Sequence, residues 1–299
     1  MVKSTPSIDF SSYIKTSNGT EDLSSEIGTK LSQSGFLIIE NLGINQKYLE
    51  NLFKASKAFF DMNEEEKNQF AYSSAESNFG YQAINSERLN SGSHPDLKET
   101  LTLRNPGQYP VENFPSAEFR QALLLFYLDV LEASRKIFFC IENYLGITKG
   151  FFNSLHTGEN ITIRLLHYPN NSEPLNNQFG AGAHTDYGAI TLLFSEGIGG
   201  LEIFIDNEWI QLNSNIDEVI INTGDLMEIW TDGHFPSALH RVTTSPGRSR
   251  RFSIAVFLDP DSDVVVESLN HSRCDDENSN YETVLVSEFL SRRISDSHK

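Results

Sequence analysis

Cysteine is nearly absent from this chain of 299 residues, which has only Cys140 and Cys274. The two stand far apart and Cys140 falls in an apolar helical pattern, so no disulfide framework is expected and a reducing compartment fits best. Long apolar runs are missing too. No stretch approaches the roughly 18 residues that a membrane-spanning helix needs. The polar start Met1-Val2-Lys3-Ser4-Thr5-Pro6 lacks the apolar segment of a secretory signal. Positive charge is scarce: 23 Lys and Arg against 41 Asp and Glu give a formal net charge of −18. So acidic a chain offers no broad cationic face to a phosphate backbone, and nucleic acid is excluded as the expected partner. Internal repeats and low-complexity blocks are also lacking.

Apolar material is plentiful, at 38% of residues with 21 Phe, enough for a large core. Leu23, Ile27 and Leu31 recur at helical spacing and stop at Gly35, and Phe36-Leu37-Ile38-Ile39 then reads as a strand. Tyr48, Leu49, Leu52, Phe53, Phe59 and Phe60 form a second helical stripe. Asn63 with Glu66 suggests a capped helix start. Between Asn78 and Tyr109 the pattern dissolves into a long loop around a strand-like Thr100 to Leu103, of the kind that serves as a lid or binding loop. The longest helix is expected from Ala117 to Leu145, with Gly146 as its C′ residue.

After about Asn160 the texture turns to short β runs. They are Ile161 to Tyr168, Ile190 to Phe194, Leu201 to Ile205, Trp209 to Leu212, Val219 to Asn222, Leu226 to Trp230, Ala238 to Thr243 and Phe252 to Leu258. Turn signals separate them, among them Gly199-Gly200, Asp232-Gly233 and Ser245-Pro246-Gly247. This spacing predicts a double-sheet jelly roll or barrel, mainly β with α, wrapped by N-terminal helices and a C-terminal helix over Tyr281 to Ile294. The divisions expected are a helical leader over 1–115, a scaffold helix over 116–150, a β core over 155–265 and a helix with tail over 266–299, in one compact unit.

The chemistry concentrates in Gly182-Ala183-His184-Thr185-Asp186-Tyr187-Gly188. On extended backbone, alternation sends His184 and Asp186 to one face. One imidazole and one carboxylate make two thirds of a facial metal site. His240, in the β run Ser237-Ala238-Leu239-His240-Arg241-Val242, is the best third ligand. His234, in a turn, is its nearest competitor; His94, His156, His167, His271 and His298 read as surface or structural residues. Two His and a carboxylate on one face of an octahedron leave three positions open, the arrangement of non-haem Fe(II) oxygenases.

The strand from Arg251 to Leu258 supplies a second feature. Phe252, Ile254, Val256 and Leu258 form its core stripe, while Arg251 and Ser253 share the opposite face. A buried Arg requires an anion. Either an internal carboxylate or a carboxylate-bearing ligand gripped in fork geometry satisfies it.

Together these motifs resemble the iron/ascorbate-dependent 2-oxoglutarate dioxygenases of the isopenicillin N synthase-like superfamily. The likeness runs from about Tyr168 to Pro260, through His184-Thr185-Asp186, Ile190-Thr191-Leu192-Leu193, Gly200-Leu201-Glu202-Ile203, Trp209, Asn222-Thr223-Gly224-Asp225, His240-Arg241-Val242 and Arg251-Phe252-Ser253. Ser34 to Asn41 extends it into the leader. The resemblance implies a double-stranded β-helix in which His184, Asp186 and His240 hold Fe(II). It also implies that Arg251, Ser253 and Tyr168 hold the distal carboxylate of 2-oxoglutarate, with O2 as oxidant and ascorbate as reductant. Many plant members carry Asn two residues before the tyrosine; here that position is Leu166, so an amide contact is absent or supplied elsewhere. Asp186 argues against halogenation, where that ligand position is left empty.

The activity so implied is hydroxylation, or desaturation or ring closure, of a small organic molecule, with succinate and CO2 released. Arg88, in the loop from Asn78 to Glu99, is a candidate to pair with an acidic substrate group, against the alternative of an incidental loop arginine. Tyr187 and Phe257 are candidate apolar walls, or else packing residues. Three other readings stay open: an oxidase of the same fold without 2-oxoglutarate, a non-catalytic small-molecule binder, and a zinc hydrolase. A cytoplasmic location is expected, with a nuclear fraction left open, and no residue pattern specifies an oligomeric state.

Overall fold

The computed structural model describes residues 7–14, 19–170, 174–196, 199–244, 249–269 and 281–297. The turn Ser245-Pro246-Gly247, Cys274, His271, His298 and the first six residues lie outside them. The chain begins with β1 (Ile8–Asp9), a 3₁₀ turn (Phe10–Ile14), α1 (Gly19–Ser34) and β2 (Phe36–Glu40). Next come α2 (Gln46–Phe60), α3 (Glu64–Asn68), β3 (Phe79–Gln82), β4 (Glu99–Arg104), α4 (Ala117–Leu145) and α5 (Phe151–Leu155). The second half holds β5 (Ile161–Tyr168), β6 (Ala181–His184), β7 (Ile190–Glu196), β8 (Leu201–Ile205), β9 (Glu208–Gln211) and β10 (Glu218–Thr223). It ends with α6 (Asp225–Trp230), β11 (His240–Val242), β12 (Arg251–Leu258), β13 (Val265–Val266), β14 (Val284–Leu285) and α7 (Val286–Ser297).

Local chemistry sets the helix ends. Asn63 and Glu66 form a reciprocal capping box at α3. Ser116 accepts from the Phe119 N–H at the start of α4, and Gly146 closes that helix in the left-handed region at φ 62°. Gly35 ends α1 likewise at φ 69°, where a Cβ would strike the Pro236 carbonyl at 2.4 Å.

Two sheets face each other, antiparallel throughout except where β1 joins β2. The larger runs β1-β2-β10-β7-β12-β5-β4-β3 and the smaller β6-β11-β8-β9. The core stripe of β12 (Phe252, Ile254, Val256, Leu258) packs into the main core on the helical side, where Phe126 of α4 meets Phe194 of β7 edge to face at 5.2 Å. The opposite face looks into the space between the sheets, closed by Phe36, Ile38, Ala181, Leu201, Ile203 and Ile220. The fold is thus the two-sheet β architecture with helices that the β spacing predicted.

Three expectations need correction. Leu226–Trp230 is not a strand but the short helix α6, with Leu226, Met227, Ile229 and Trp230 all buried. A short run buried all round has no periodicity to distinguish helix from strand. The leader is not simply a helical wrapper, because β1 to β4 supply half of the large sheet. The C-terminal helix starts at Val286, not Tyr281, since Val284–Leu285 first pairs with β13.

Candidate active site

The small sheet sets the geometry of the candidate metal site. β6 and β11 pair antiparallel with His184 directly opposite His240, and Asp186 follows two residues after β6 ends. The Asp186 Oδ1 atom lies 3.9 Å from His184 Nε2 and 3.7 Å from His240 Nε2. One donor atom from each of the three side chains falls within 4.8 Å of the others, so a single ion can reach all three.

The outer atoms of these three side chains are already engaged. His184 Nδ1 donates to the Gly182 carbonyl at 2.7 Å, and His240 Nδ1 to the Ala238 carbonyl at 3.0 Å. A carbonyl only accepts, so Nδ1 carries a proton in both rings, and in the neutral imidazole it is Nε2 that presents its lone pair to the centre. Burial, reinforced by His240, pushes the His184 imidazole down to about 3, so it is neutral at physiological pH. Asp186 Oδ2 accepts from Thr191 Oγ1 at 2.6 Å and Asn222 Nδ2 at 2.7 Å, leaving Oδ1 for an ion. Burial raises the Asp186 carboxyl, but the two imidazoles and these two hydrogen bonds outweigh it and hold the group below its ordinary range.

Backbone contacts fix the ligand loop. The Asp225 N–H donates to the Asp186 carbonyl at 2.8 Å and the Gly224 N–H to Ala189 at 3.0 Å. A Cβ on Gly224 would lie 2.5 Å from the Gly188 carbonyl oxygen and 2.9 Å from that of Asp186. Gly224 is therefore required by close approach of two backbones. From α7, Arg293 pairs with Asp225 at 2.7 Å, reaches Thr185 Oγ1 at 3.1 Å and lies over the Tyr187 ring at 4.5 Å.

Arg251 and Ser253 share the inner face of β12, both buried. Across the sheet Arg251 is opposite Tyr168, and Ser253 lies between Leu166 and Ser195. Arg251 Nη2 donates to Ser195 Oγ at 3.0 Å, and Ser195 Oγ and Ser253 Oγ are 3.1 Å apart. The guanidinium also stands over the Tyr168 ring at 5.2 Å. Burial raises the Tyr168 phenol, keeping it protonated as a donor. This set of donors matches a carboxylate. Nothing in the sequence singles out Ser195; only the register of β7 against β12 brings it here.

The other histidines have different roles. His167 accepts from Arg250 Nε at Nε2 and donates from Nδ1 to Glu99 Oε1 at 2.7 Å, and it stacks on Phe252. His156 packs on Phe138, and burial lowers it to about 4. His234 stacks on Tyr144, and His94 is exposed.

A cavity opens beside the triad, walled by Tyr187, Phe257, Arg164 and Asp259 and by Leu290 and Ile294 of α7. The loop expected to overhang it does so through Asn78, Glu87 and Leu89. Arg88 does not. Its side chain is exposed, while its neighbour Glu87 turns inward. The guanidinium in the cavity wall is that of Arg164, whose Nη2 donates to both Glu87 oxygens at 3.0 and 2.9 Å. Lys98 pairs with Glu87 at 2.9 Å and also with Asp96, which in turn accepts from the Gly182 N–H at 2.9 Å. A buried ionic chain thus links the cavity wall to the strand carrying His184.

Residues 160–260 match the 2OG-Fe(II) oxygenase superfamily, and residues 5–120 match the N-terminal region of the non-haem dioxygenase in morphine synthesis. The UPF0676 protein C1494.01 of Schizosaccharomyces pombe is 32% identical over 302 residues, covering 97% of this chain and 91% of that protein. The 2-oxoglutarate-Fe(II) type oxidoreductase hxnY of Emericella nidulans is 28% identical over 309 residues, covering 95% and 88%. A full-length Neurospora crassa protein crystallised in complex with alpha-KG superposes with a TM-score of 0.88 at 26% identity, over 97% of this chain and 95% of that one. Another structure of the same Neurospora protein holds alpha-KG and thymine, with a TM-score of 0.87.

Proposed function

The chain belongs to the 2OG-Fe(II) oxygenase superfamily, and from that premise we propose that His184, Asp186 and His240 hold its Fe(II) while Arg251, Ser253 and Tyr168 anchor its 2-oxoglutarate. The observation that carries this reading is the convergence of two imidazole Nε2 atoms and one carboxylate oxygen, each with its outer atom engaged elsewhere. Two His and one carboxylate are the donor set of an iron centre with open positions. A zinc hydrolase would have no use for the carboxylate anchor on β12.

When bound, Fe(II), 2-oxoglutarate and O2 supply the oxidising chemistry: one oxygen atom goes to the substrate C–H bond and the other to succinate, with CO2 released. The protein's part is binding and orientation. Asn222 and Thr191 fix the face that Asp186 presents. Arg251 and the hydroxyls of Ser253 and Ser195 neutralise and orient a carboxylate, and the Tyr168 phenol adds a donor. Ser195 occupies the region opposite Leu166 on the far side of β12, so a hydroxyl rather than an amide serves the co-substrate there. Tyr187, Phe257, Leu290 and Ile294 exclude water from the substrate space, as closed oxygenase sites require.

The substrate is a small organic molecule that enters the cavity beside the triad. The thymine complex of the Neurospora protein favours a compact polar molecule. A cytoplasmic location accords with the buried free thiol of Cys140.

Calorimetric titration of 2-oxoglutarate into anaerobic, Fe(II)-loaded protein tests the assignment. Iron-dependent binding is expected, and it is expected to disappear in both His240→Ala and Arg251→Ala. Absence of binding to the wild type would overturn the assignment. Unchanged binding in Arg251→Ala would remove the anchor alone.

A further inference from the structure

One buried acid in the substrate cavity is left without a partner among the described residues. Asp259, one residue past β12, is 8% exposed and lines the cavity. Among the described residues its carboxyl makes no hydrogen bond and no ion pair. Native structures pair their buried polar groups, because an unsatisfied carboxyl carries its full desolvation cost. The other cavity charges are compensated: Glu87 by Arg164 and Lys98, and Asp96 by Lys98. Arg104 is the cation that Asp259 feels, yet its guanidinium is committed to Asn160 Oδ1.

The neighbouring backbone makes room for this carboxyl. A Cβ on Gly188 would lie 1.8 Å from Asp259 Oδ1. Gly188 therefore lets the carboxyl lie against the loop that carries Asp186, in the wall of the same cavity.

We propose that Asp259 is the specificity-determining residue of the substrate cavity, accepting a hydrogen bond from an N–H or O–H group of a neutral or cationic substrate. The proposal rests on the oxygenase reading and deepens it by naming a substrate class. It also reverses the expectation drawn from Arg88. Among the described residues the cavity wall presents no uncompensated cation for an acidic substrate, and an uncompensated carboxyl repels one.

The test uses anaerobic protein loaded with Fe(II) and 2-oxoglutarate at about pH 8, above the point near 7 where the Asp259 carboxyl ionises, with calorimetric titration of matched probes. The pairs are thymine and 1,3-dimethylthymine, benzylamine and benzyltrimethylammonium, and benzyl alcohol and benzyl methyl ether, with benzoate as the acid. In at least one pair the donor-bearing member is expected to bind about tenfold tighter or better, the effect of a hydrogen bond to a charged group. The pair that discriminates separates N–H from O–H recognition. Asp259→Leu is expected to abolish the discrimination, and Gly188→Ala to weaken it by displacing an unaltered carboxyl. Asp259→Asn keeps an acceptor without the charge, and its melting curve and 2-oxoglutarate affinity report on the fold. No discrimination in the wild type, discrimination that survives Asp259→Leu, or preferred binding of benzoate would each overturn the proposal. Intact 2-oxoglutarate binding with no discrimination refutes the Asp259 assignment alone, whereas no 2-oxoglutarate binding strikes the oxygenase reading beneath it.

Discussion

An acid kept in a cavity without a partner must cost stability, and the cost must depend on pH. Burial lifts the Asp259 carboxyl to about 7; Asp186 adds to the rise and Arg104 opposes it. In the unfolded chain the same group titrates near 4. The sign follows from proton counting. Below about pH 4 the group is protonated in both states, and the native state has its full stability. As pH rises, the unfolded chain releases the proton while the native carboxyl keeps it, so stability falls until the native group ionises near 7. At about 1.4 kcal/mol per unit, some three units amount to roughly 4 kcal/mol as an upper bound.

Asp259→Asn removes this slope while preserving shape. Urea unfolding of the metal-free protein at pH 5.5 and pH 8 measures it; the lower value keeps clear of the sequence pI of about 4.8, where solubility is poorest. Only the difference between variant and wild type matters, so other titrating groups cancel. Between these two values of pH the variant is expected to gain roughly 2 kcal/mol on the wild type. Parallel stability profiles, with less than about 0.5 kcal/mol of divergence, would show that the carboxyl is not penalised in the native state. Retention of Asp259 as a ligand contact would then have no energetic ground.

Other substitutions probe the supports of the site. Asn222→Leu removes one of two donors to Asp186 Oδ2 and is expected to weaken Fe(II) binding about 10- to 100-fold, read by competition with a chelator; unchanged affinity would make that contact incidental. Gly224→Ala forces a Cβ to within 2.5 Å of the Gly188 carbonyl oxygen and is expected to lower the melting temperature and abolish metal binding, whereas Gly107→Ala, with nothing within 4 Å, is a neutral control. Lys98→Met strips the cation shared by Glu87 and Asp96 and is expected to cost about 3–5 kcal/mol in urea unfolding, the usual effect of breaking a buried pair; a loss under 1 kcal/mol would contradict it. Arg293→Met frees α7 from Asp225 and Thr185 and is expected to raise substrate KM more than it lowers kcat, measured by succinate formation with the identified substrate.

Much of this arrangement is legible in the sequence where a short period governs it. Alternation on extended backbone suffices to put His184 with Asp186 and to turn Arg251 and Ser253 away from the core stripe of β12. Helical spacing and caps place α4 between Ser116 and Gly146. Leu226 to Trp230 reads as a strand because a short apolar run carries too little period to tell the two apart, and its helix follows Gly224, whose backbone lies close against the loop of Asp186 and Gly188. Ser195, Thr191 and Asn222 lie in or beside the family-like stretches. Their contacts with Arg251 and Asp186 depend on register between strands, which one sequence does not state.

The contrast between Arg88 and its neighbour shows why charged loop residues resist such reading. Glu87 and Arg88 are adjacent, so a one-residue change of phase exchanges which of them faces the cavity, and the loop has no periodic pattern to fix that phase. Once Glu87 is inside, Arg164 and Lys98 become its partners and lose their meaning as sites for a substrate anion. The same accounting isolates Asp259: it stands out only because the charges around Glu87 and Asp96 are already matched. In a cavity, a charged residue predicts ligand chemistry through what remains after the internal pairs are formed. That remainder is a property of the fold, even though each residue that contributes to it is plain in the sequence.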